Sequence, residues 1–354
     1  MGNQILIYRL YDVADRIDLA AAESRLSQSR GTARVKLDKV SPKSMHFTDP
    51  PLAAEAGPAE LNIGGRPVTL TLGARIYDLG VIGIVGAIEV PPEATHGDWL
   101  RLITAINPKD VNRLFRERMD SIKEALGPAL KAHDLNPFVE DFTVFYFTQW
   151  NQDWDPVPLL LAETGEVSAQ TRRDVLANTF SYSPDDLAII TWDSALIYQA
   201  DGNTDLLDLI ELANTQLLEL RVYDALLSME TDKAHAEIRQ AARKTSYRRL
   251  QRYRAIMKRL MELTVEVTEI VERVRNTLKV TEDVYYARVY GAATDILHTG
   301  AWMDSINRKI DLIQRSYSML SDEVVTERSN LLEVAVVILI VLEVVVALWP
   351  LFRG

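Results

Sequence analysis

From Leu331 to Phe352 only Glu333 and Glu343 interrupt an otherwise apolar run, and no other stretch restricts the fold as strongly. As a helix, this run rises about 33 Å, enough to cross a hydrocarbon core of about 30 Å. It therefore reads as a single transmembrane helix over 331–352, with Trp349 and Phe352 as interfacial anchors. A buried core helix is the competing reading, but too little sequence remains beyond it to wrap all its faces. A carboxylate in hydrocarbon is costly unless protonated or partnered, so Glu343 in mid-span, together with Glu333, is expected to face other spans in a homo-oligomer.

The other end of the chain points the same way. Met1 to Ala20 holds Asp12, Asp15 and Asp18 and no long apolar run, which argues against a signal peptide or an acid-poor transit peptide. Leu6 stands where N-myristoylation needs Ser or Thr. The expectation is a tail-anchored, single-pass protein with its body on the cytoplasmic side.

With 354 residues the chain can form two domains, and the absence of cysteine excludes disulfides, thiolate metal sites and Cys nucleophiles. Charge is unevenly spread. Residues 1–230 hold 20 Lys and Arg against 34 Asp and Glu, a balance of −14, whereas residues 231–354 hold 19 against 16, a balance of +3. Phosphate binding depends on Lys and Arg, so the acidic front half is no surface for DNA, and any polyanion contact belongs to the back half.

Residues 1–203 read as an α+β body. Strands are expected at Gln4 to Tyr8, Pro67 to Leu72, Gly80 to Val90, Phe142 to Phe147, Leu187 to Trp192 and Ala195 to Tyr198, all rich in β-branched or aromatic side chains. Helices are expected over Asp98 to Ile106, from Asn107 to about Lys131 and over Ser168 to Asn178. Pro50, Pro51, Gly57 and Pro58 suggest a loop, and Gly64-Gly65 a hairpin turn. Gly80, Gly83 and Gly86 resemble a dinucleotide-binding loop only in spacing, because strand formers surround them and Pro91-Pro92 follows where a helix should open. His46, His96, His133, His235 and His298 lack ligand spacing, and neither a metal nor a cofactor is expected.

Residues 204–330 read as helical. Leu250, Tyr253, Met257, Leu260, Thr264, Val267, Val271, Val274 and Leu278 alternate steps of three and four, as do Met303, Ile306, Ile310, Ile313, Tyr317, Leu320 and Val324. A turn at Val280 to Asp283 would join them as an antiparallel coiled-coil-like hairpin over about 246–328, placing residue 250 beside about 312. Arg239, Arg243, Lys244, Arg248, Arg249, Arg252, Arg254, Lys258 and Arg259 form a basic run without an acidic residue. This run is a solvated coiled-coil flank, a contact for anionic lipid, or an RNA or ribosome contact with Tyr247 and Tyr253 for stacking.

Ile306-Asn307-Arg308 on the penultimate helix, Leu332-Glu333 opening the apolar run and Leu342-Glu343-Val344 closing it resemble the end of the RMD family, proteins "required for meiotic nuclear division". The resemblance covers about residues 240–350 and departs at Val334, where that family sets an aromatic residue. It implies a membrane-anchored homo-oligomer without established enzymatic activity, whose mitochondrial members support organellar translation. Without a transit peptide, this chain resembles a bacterial relative in the inner membrane. The resulting expectation is a non-enzymatic, membrane-anchored, homo-oligomeric scaffold or tether. The alternatives are a membrane adaptor for RNA or ribosomes, and an enzyme with its site in the α+β body.

Overall fold

In the computed structural model, the described residues are 2–27, 31–34, 50–131, 138–243, 245–277 and 284–348. Their strands are β1 (Gln4–Asp12), β2 (Arg16–Ile17), β3 (Thr32–Arg34), β4 (Leu52–Ile63), β5 (Arg66–Ile76), β6 (Val81–Glu89), β7 (Leu130–Lys131), β8 (Val139–Phe147), β9 (Thr179–Phe180), β10 (Asp186–Ile190) and β11 (Ser194–Gln199). The helices are α1 (Leu19–Leu26), α2 (His96–Thr104), α3 (Pro108–Leu126), α4 (Pro156–Leu161), α5 (Ala169–Leu176), α6 (Asp205–Ala241), α7 (Ser246–Thr277), α8 (Val284–Ile296) and α9 (Thr299–Leu348). The chain divides into two compact units, residues 1–222 with 273–302, and residues 223–272 with 303–354.

The first unit is an α+β body built on a nine-stranded sheet of order β3-β4-β5-β6-β1-β8-β11-β10-β9. β1 lies near its middle, antiparallel to β6 (Gln4 opposite Glu89) and to β8 (Gln4 opposite Tyr146), while β8 and β11 run parallel. All nine residues of β1 are buried because both sheet faces are covered. Ile5 and Ile7 point into a core shared with Trp99, Phe115 and Phe147, whereas Leu6 and Tyr8 point into one shared with Leu206, Ile210, Val289 and Ala293 of α6 and α8.

Local signals explain the elements. Thr95 and Asp98 form a reciprocal capping box that opens α2, and Asn107 caps α3 with Pro108 at its first position. Gly64 and Gly65, at φ +58° and +83°, make the two-residue turn between β4 and β5. The Pro50–Pro58 stretch, expected as a loop, is instead mostly strand. β4 runs through Gly57 and Pro58 by means of a bulge between Glu55 and Gly57, with Gly57 at φ +77°. Gly83 and Gly86 sit inside β6, as the strand reading of that segment has it. A Cβ on Gly86 would lie 2.7 Å from Phe115 Cζ.

In the second unit, the tail of α6, α7 and α9 pack together through Tyr253, Ile256, Leu260, Val267, Ile306, Ile313 and Leu320, each at most 5% exposed. The expected turn at Val280 to Asp283 lies outside the described residues, and α8 intervenes in sequence between α7 and α9. Arg249 pairs with Glu327, so residue 250 lies level with about residue 326 rather than 312.

The expected transmembrane helix is not found. Among the described residues no helix is long and apolar enough to cross a membrane. The apolar run also carries two carboxylates, Glu333 and Glu343, each costly in hydrocarbon. Residues 349–352 lie outside the described residues. The single-span anchoring, the tail-anchored topology and the membrane as partner fall with that helix.

Candidate self-association surface

The α9 spacing continues without a break through the apolar run. Ile306, Ile310, Ile313 and Leu320 are at most 9% exposed, Tyr317 is 37% exposed, and Glu327 takes the next position but one after Leu320. The same alternation then passes through Leu331, Val334, Ile338 and Val341, which are 41%, 56%, 57% and 56% exposed. The change falls where α7 begins at Ser246, beside the Arg249–Glu327 pair. Within the unit, a coiled-coil seam thus outlasts the helix that covers it.

Writing the heptad so that Leu331 and Ile338 are a and Val334 and Val341 are d puts Glu333 at c and Glu343 at f. Both carboxylates therefore stand on the side opposite the seam, where water solvates them. Neither has to be buried for the seam to be covered. Of the remaining RMD-type residues, Ile306 is buried, Asn307 and Arg308 are exposed, and Leu332 and Leu342 are 60% and 57% exposed.

Much of the basic run is consumed inside the unit. Arg259 pairs with Glu230 at 2.7 Å and Glu237 at 3.3 Å, Arg252 with Glu237 at 3.2 Å, Arg249 with Glu327, and exposed Lys258 with Glu262 at 3.6 Å. The spacing of the run hid most of this, because Glu230 and Glu237 lie on α6 and Glu327 on α9, and only Glu262 lies on α7 itself. Arg239, Arg243, Arg248 and Arg254 remain exposed with no acidic partner among the described residues, and Lys244 lies outside them.

The other concentration of ionisable groups lies in the body and was not anticipated from sequence. Arg75 on β5 places Nη1 2.5 Å from Asp208 Oδ1 and 3.1 Å from Glu211 Oε2, both on α6, and Tyr77 OH donates to Glu211 Oε1 at 2.8 Å. Gly83 makes room for this group, since a Cβ there would lie 3.2 Å from Glu211 Oε1. Burial pushes both carboxyls above their ordinary range, opposed by the Arg75 guanidinium, and burial also raises Tyr77 and Tyr8. One guanidinium thus serves two carboxylates, and the group ties α6 to the sheet.

Among the described residues no group of three or more His, Asp or Glu could hold a metal ion. His96 bonds the Asp155 carbonyl at 2.8 Å and His298 packs against Trp192, while His46 and His133 lie outside the described residues. A surface hollow of about 560 Å³, lined by Glu55, Ser121 and Glu124 among others, includes none of the Arg75 group.

The family described as "Uncharacterized protein MJ0711, N-terminal domain" matches residues 2–205. A protein of Methanocaldococcus jannaschii, "Uncharacterized protein MJ0711", is 27% identical over 263 residues, covering 70% of this chain and 78% of its own length. No solved structure matches. The resemblance to the RMD family is overturned. The match falls on the α+β body, whereas that resemblance rested on Leu-Glu and Ile-Asn steps that heptad helices readily share. The relative is archaeal, so the bacterial origin and the inner-membrane location have no support. The chain belongs to the family of the MJ0711 N-terminal domain, which accounts for its body from residue 2 to residue 205.

Proposed function

We propose that the protein is a non-enzymatic scaffold that self-associates through the α9 segment from Leu331 to Val344 and so gathers several copies of its acidic body. The observation that carries this reading is the seam that continues past the start of α7 with its side chains bare. Leu331, Leu332, Val334, Val336 to Leu342 and Val344 are 41–66% exposed. Full burial of such a side chain is worth about 1.5–3 kcal/mol, and half of that is still unrealised here, so covering the four seam positions Leu331, Val334, Ile338 and Val341 would yield on the order of 3–6 kcal/mol per chain. A second copy suits the surface because the seam has the spacing of the one α9 already makes with α7, and because Glu333 and Glu343 stay outside it. The paired state of Arg249, Arg252 and Arg259 gives the RNA or ribosome reading less support.

Light scattering on the intact chain tests this. An oligomer is expected at tens of micromolar, and Val334→Lys with Ile338→Lys should return it to a monomer of about 39.9 kDa. An intact chain that is already monomeric would overturn the reading.

A further inference from the structure

We propose that the outer edge of β4 and the face of α3 beside it form a groove that binds an extended peptide carrying Lys or Arg at alternate positions. The groove lies wholly in the first unit, so it stands apart from how α9 associates. Two hollows mark it. One of about 560 Å³ lies between residues 55–57 of β4 and residues 121–125 of α3, and one of about 520 Å³ between residues 60–62 of β4 and residues 110–117 of α3. Asp110, Leu114, Glu117, Ser121 and Glu124 follow one another in steps of four and three and so share one helix face. The two walls match in length, since residues 110–125 rise about 22 Å as helix and residues 55–62 about 23 Å as strand.

The strand wall offers main-chain groups. β3 covers Leu52, Ala53 and Ala54 of β4, and the Glu55 N–H donates to the Gly31 carbonyl. Among the described residues no strand pairs with the outer side of β4 beyond that point. Ile63 and Arg66 flank a two-residue turn and form a hydrogen-bonded pair, so the alternation of an antiparallel ladder turns the main-chain groups of Pro58, Glu60 and Asn62 outward. Arg118 agrees with this alternation, because its guanidinium donates to the Pro58 carbonyl at 3.2 Å. An edge of this kind accepts an added strand. Charge selects which strand. Five carboxylates line the two hollows, Glu55, Glu60, Asp110, Glu117 and Glu124, against one guanidinium, Arg113, which pairs with Asp110 at 3.2 Å. Between the hollows, Arg118 already seats a cation against the edge. A second copy is a poor occupant, since its own β4 would bring Glu60 against the same carboxylates.

Fluorescence anisotropy on the intact chain tests this, with a labelled peptide of about seven residues in which Lys and Val alternate, long enough to span the groove at about 3.3 Å per residue. Saturable binding is expected at about 0.15 M salt. Glu60→Lys with Glu117→Lys, both at exposed positions, should keep the parent's circular dichroism and weaken binding about tenfold or more. Two N-methylated forms of the peptide, one at every Lys and one at every Val, separate strand pairing from charge. Only one edge of the peptide faces β4, so one form should bind about tenfold or more weakly and the other like the parent peptide. No saturation by about 1 mM would overturn the proposal. So would two methylated forms that bind alike, or a Glu-Val peptide that binds as well as the Lys-Val one. Sedimentation velocity covers the remaining occupant: a lower mass for the Glu60→Lys, Glu117→Lys chain than for the parent would make this edge an interface between copies and overturn the peptide reading.

Discussion

Arg75→Met leaves Asp208 and Glu211 buried, at 6% and 4% exposure, with no cation between them. Removing one member of a buried ion group costs about 3–5 kcal/mol, because the remaining charge keeps its desolvation penalty and loses its compensation. Arg75 retains 23% of its side chain in solvent, which places the loss nearer 3 kcal/mol. Methionine refills the space of the arginine stem, so the loss is electrostatic more than steric. Both carboxyls are already raised by burial with Arg75 present, and its removal raises them further. A carboxyl raised in the folded state contributes stability that is complete below its unfolded value of about 4 and is lost as pH rises through the folded value. The variant's deficit should therefore be largest at pH 8 and shrink toward pH 5. Urea unfolding read by tryptophan fluorescence suits the measurement, since Trp99, Trp150, Trp154, Trp192 and Trp302 all belong to the first unit. A loss of 3 kcal/mol moves the urea midpoint by about 1 M or more. Asp208→Asn added to Arg75→Met removes one of the stranded charges and should recover part of the loss at pH 8. A deficit under about 1 kcal/mol, or one equal at pH 5 and pH 8, would refute the electrostatic account.

Gly86→Ala should destabilise the body by about 1–3 kcal/mol in the same assay, because the new methyl would lie 2.7 Å from Phe115 and 3.1 Å from Leu70 and Leu72. Asp155→Ala removes the cap of α4 and both bonds to Arg172, at 2.7 and 2.8 Å, for a loss of about 1 kcal/mol after solvent screening. The Arg172 hydrogen bonds hold the Asp155 carboxyl below its usual range. This contribution is therefore present above about pH 4 and disappears as pH falls through the folded value, so parent and variant should converge in acid.

The strands the sequence revealed were those whose local chemistry matches their environment. β1, β6 and β8 are dense in isoleucine, valine and aromatic residues, as strands buried on both faces must be. β4 was missed because Ala53, Ala54, Ala56 and Ala59 carry little strand signal and Gly57-Pro58 reads as a breaker, although it sits at a bulge. The Arg75 group was illegible for a different reason. Asp208 and Glu211 look like the solvated face of a helix, and their cation lies more than a hundred residues earlier. The one local trace was Gly83, whose missing side chain leaves the space they occupy. The heptad spacing of α9 was plain, but the register of the hairpin was not, since α8 was absorbed into its expected second arm. The apolar run was read correctly as helix and wrongly as a membrane span, because composition shows that a surface needs covering and does not say by what.

The central place of β1 also governs how the chain reaches its fold. Its nine residues are made before both of their partners, since Val81, the nearest partner in β6, follows Asp12 by 69 positions, and Val139 of β8 comes later still. At about 5–20 residues per second of synthesis, the strand spends roughly 3–14 s without its first neighbour and longer without its second. Throughout that interval a sticky segment with two unsatisfied edges is attached to a ribosome. The middle of the sheet therefore cannot close until the chain has been made through β8, at Phe147.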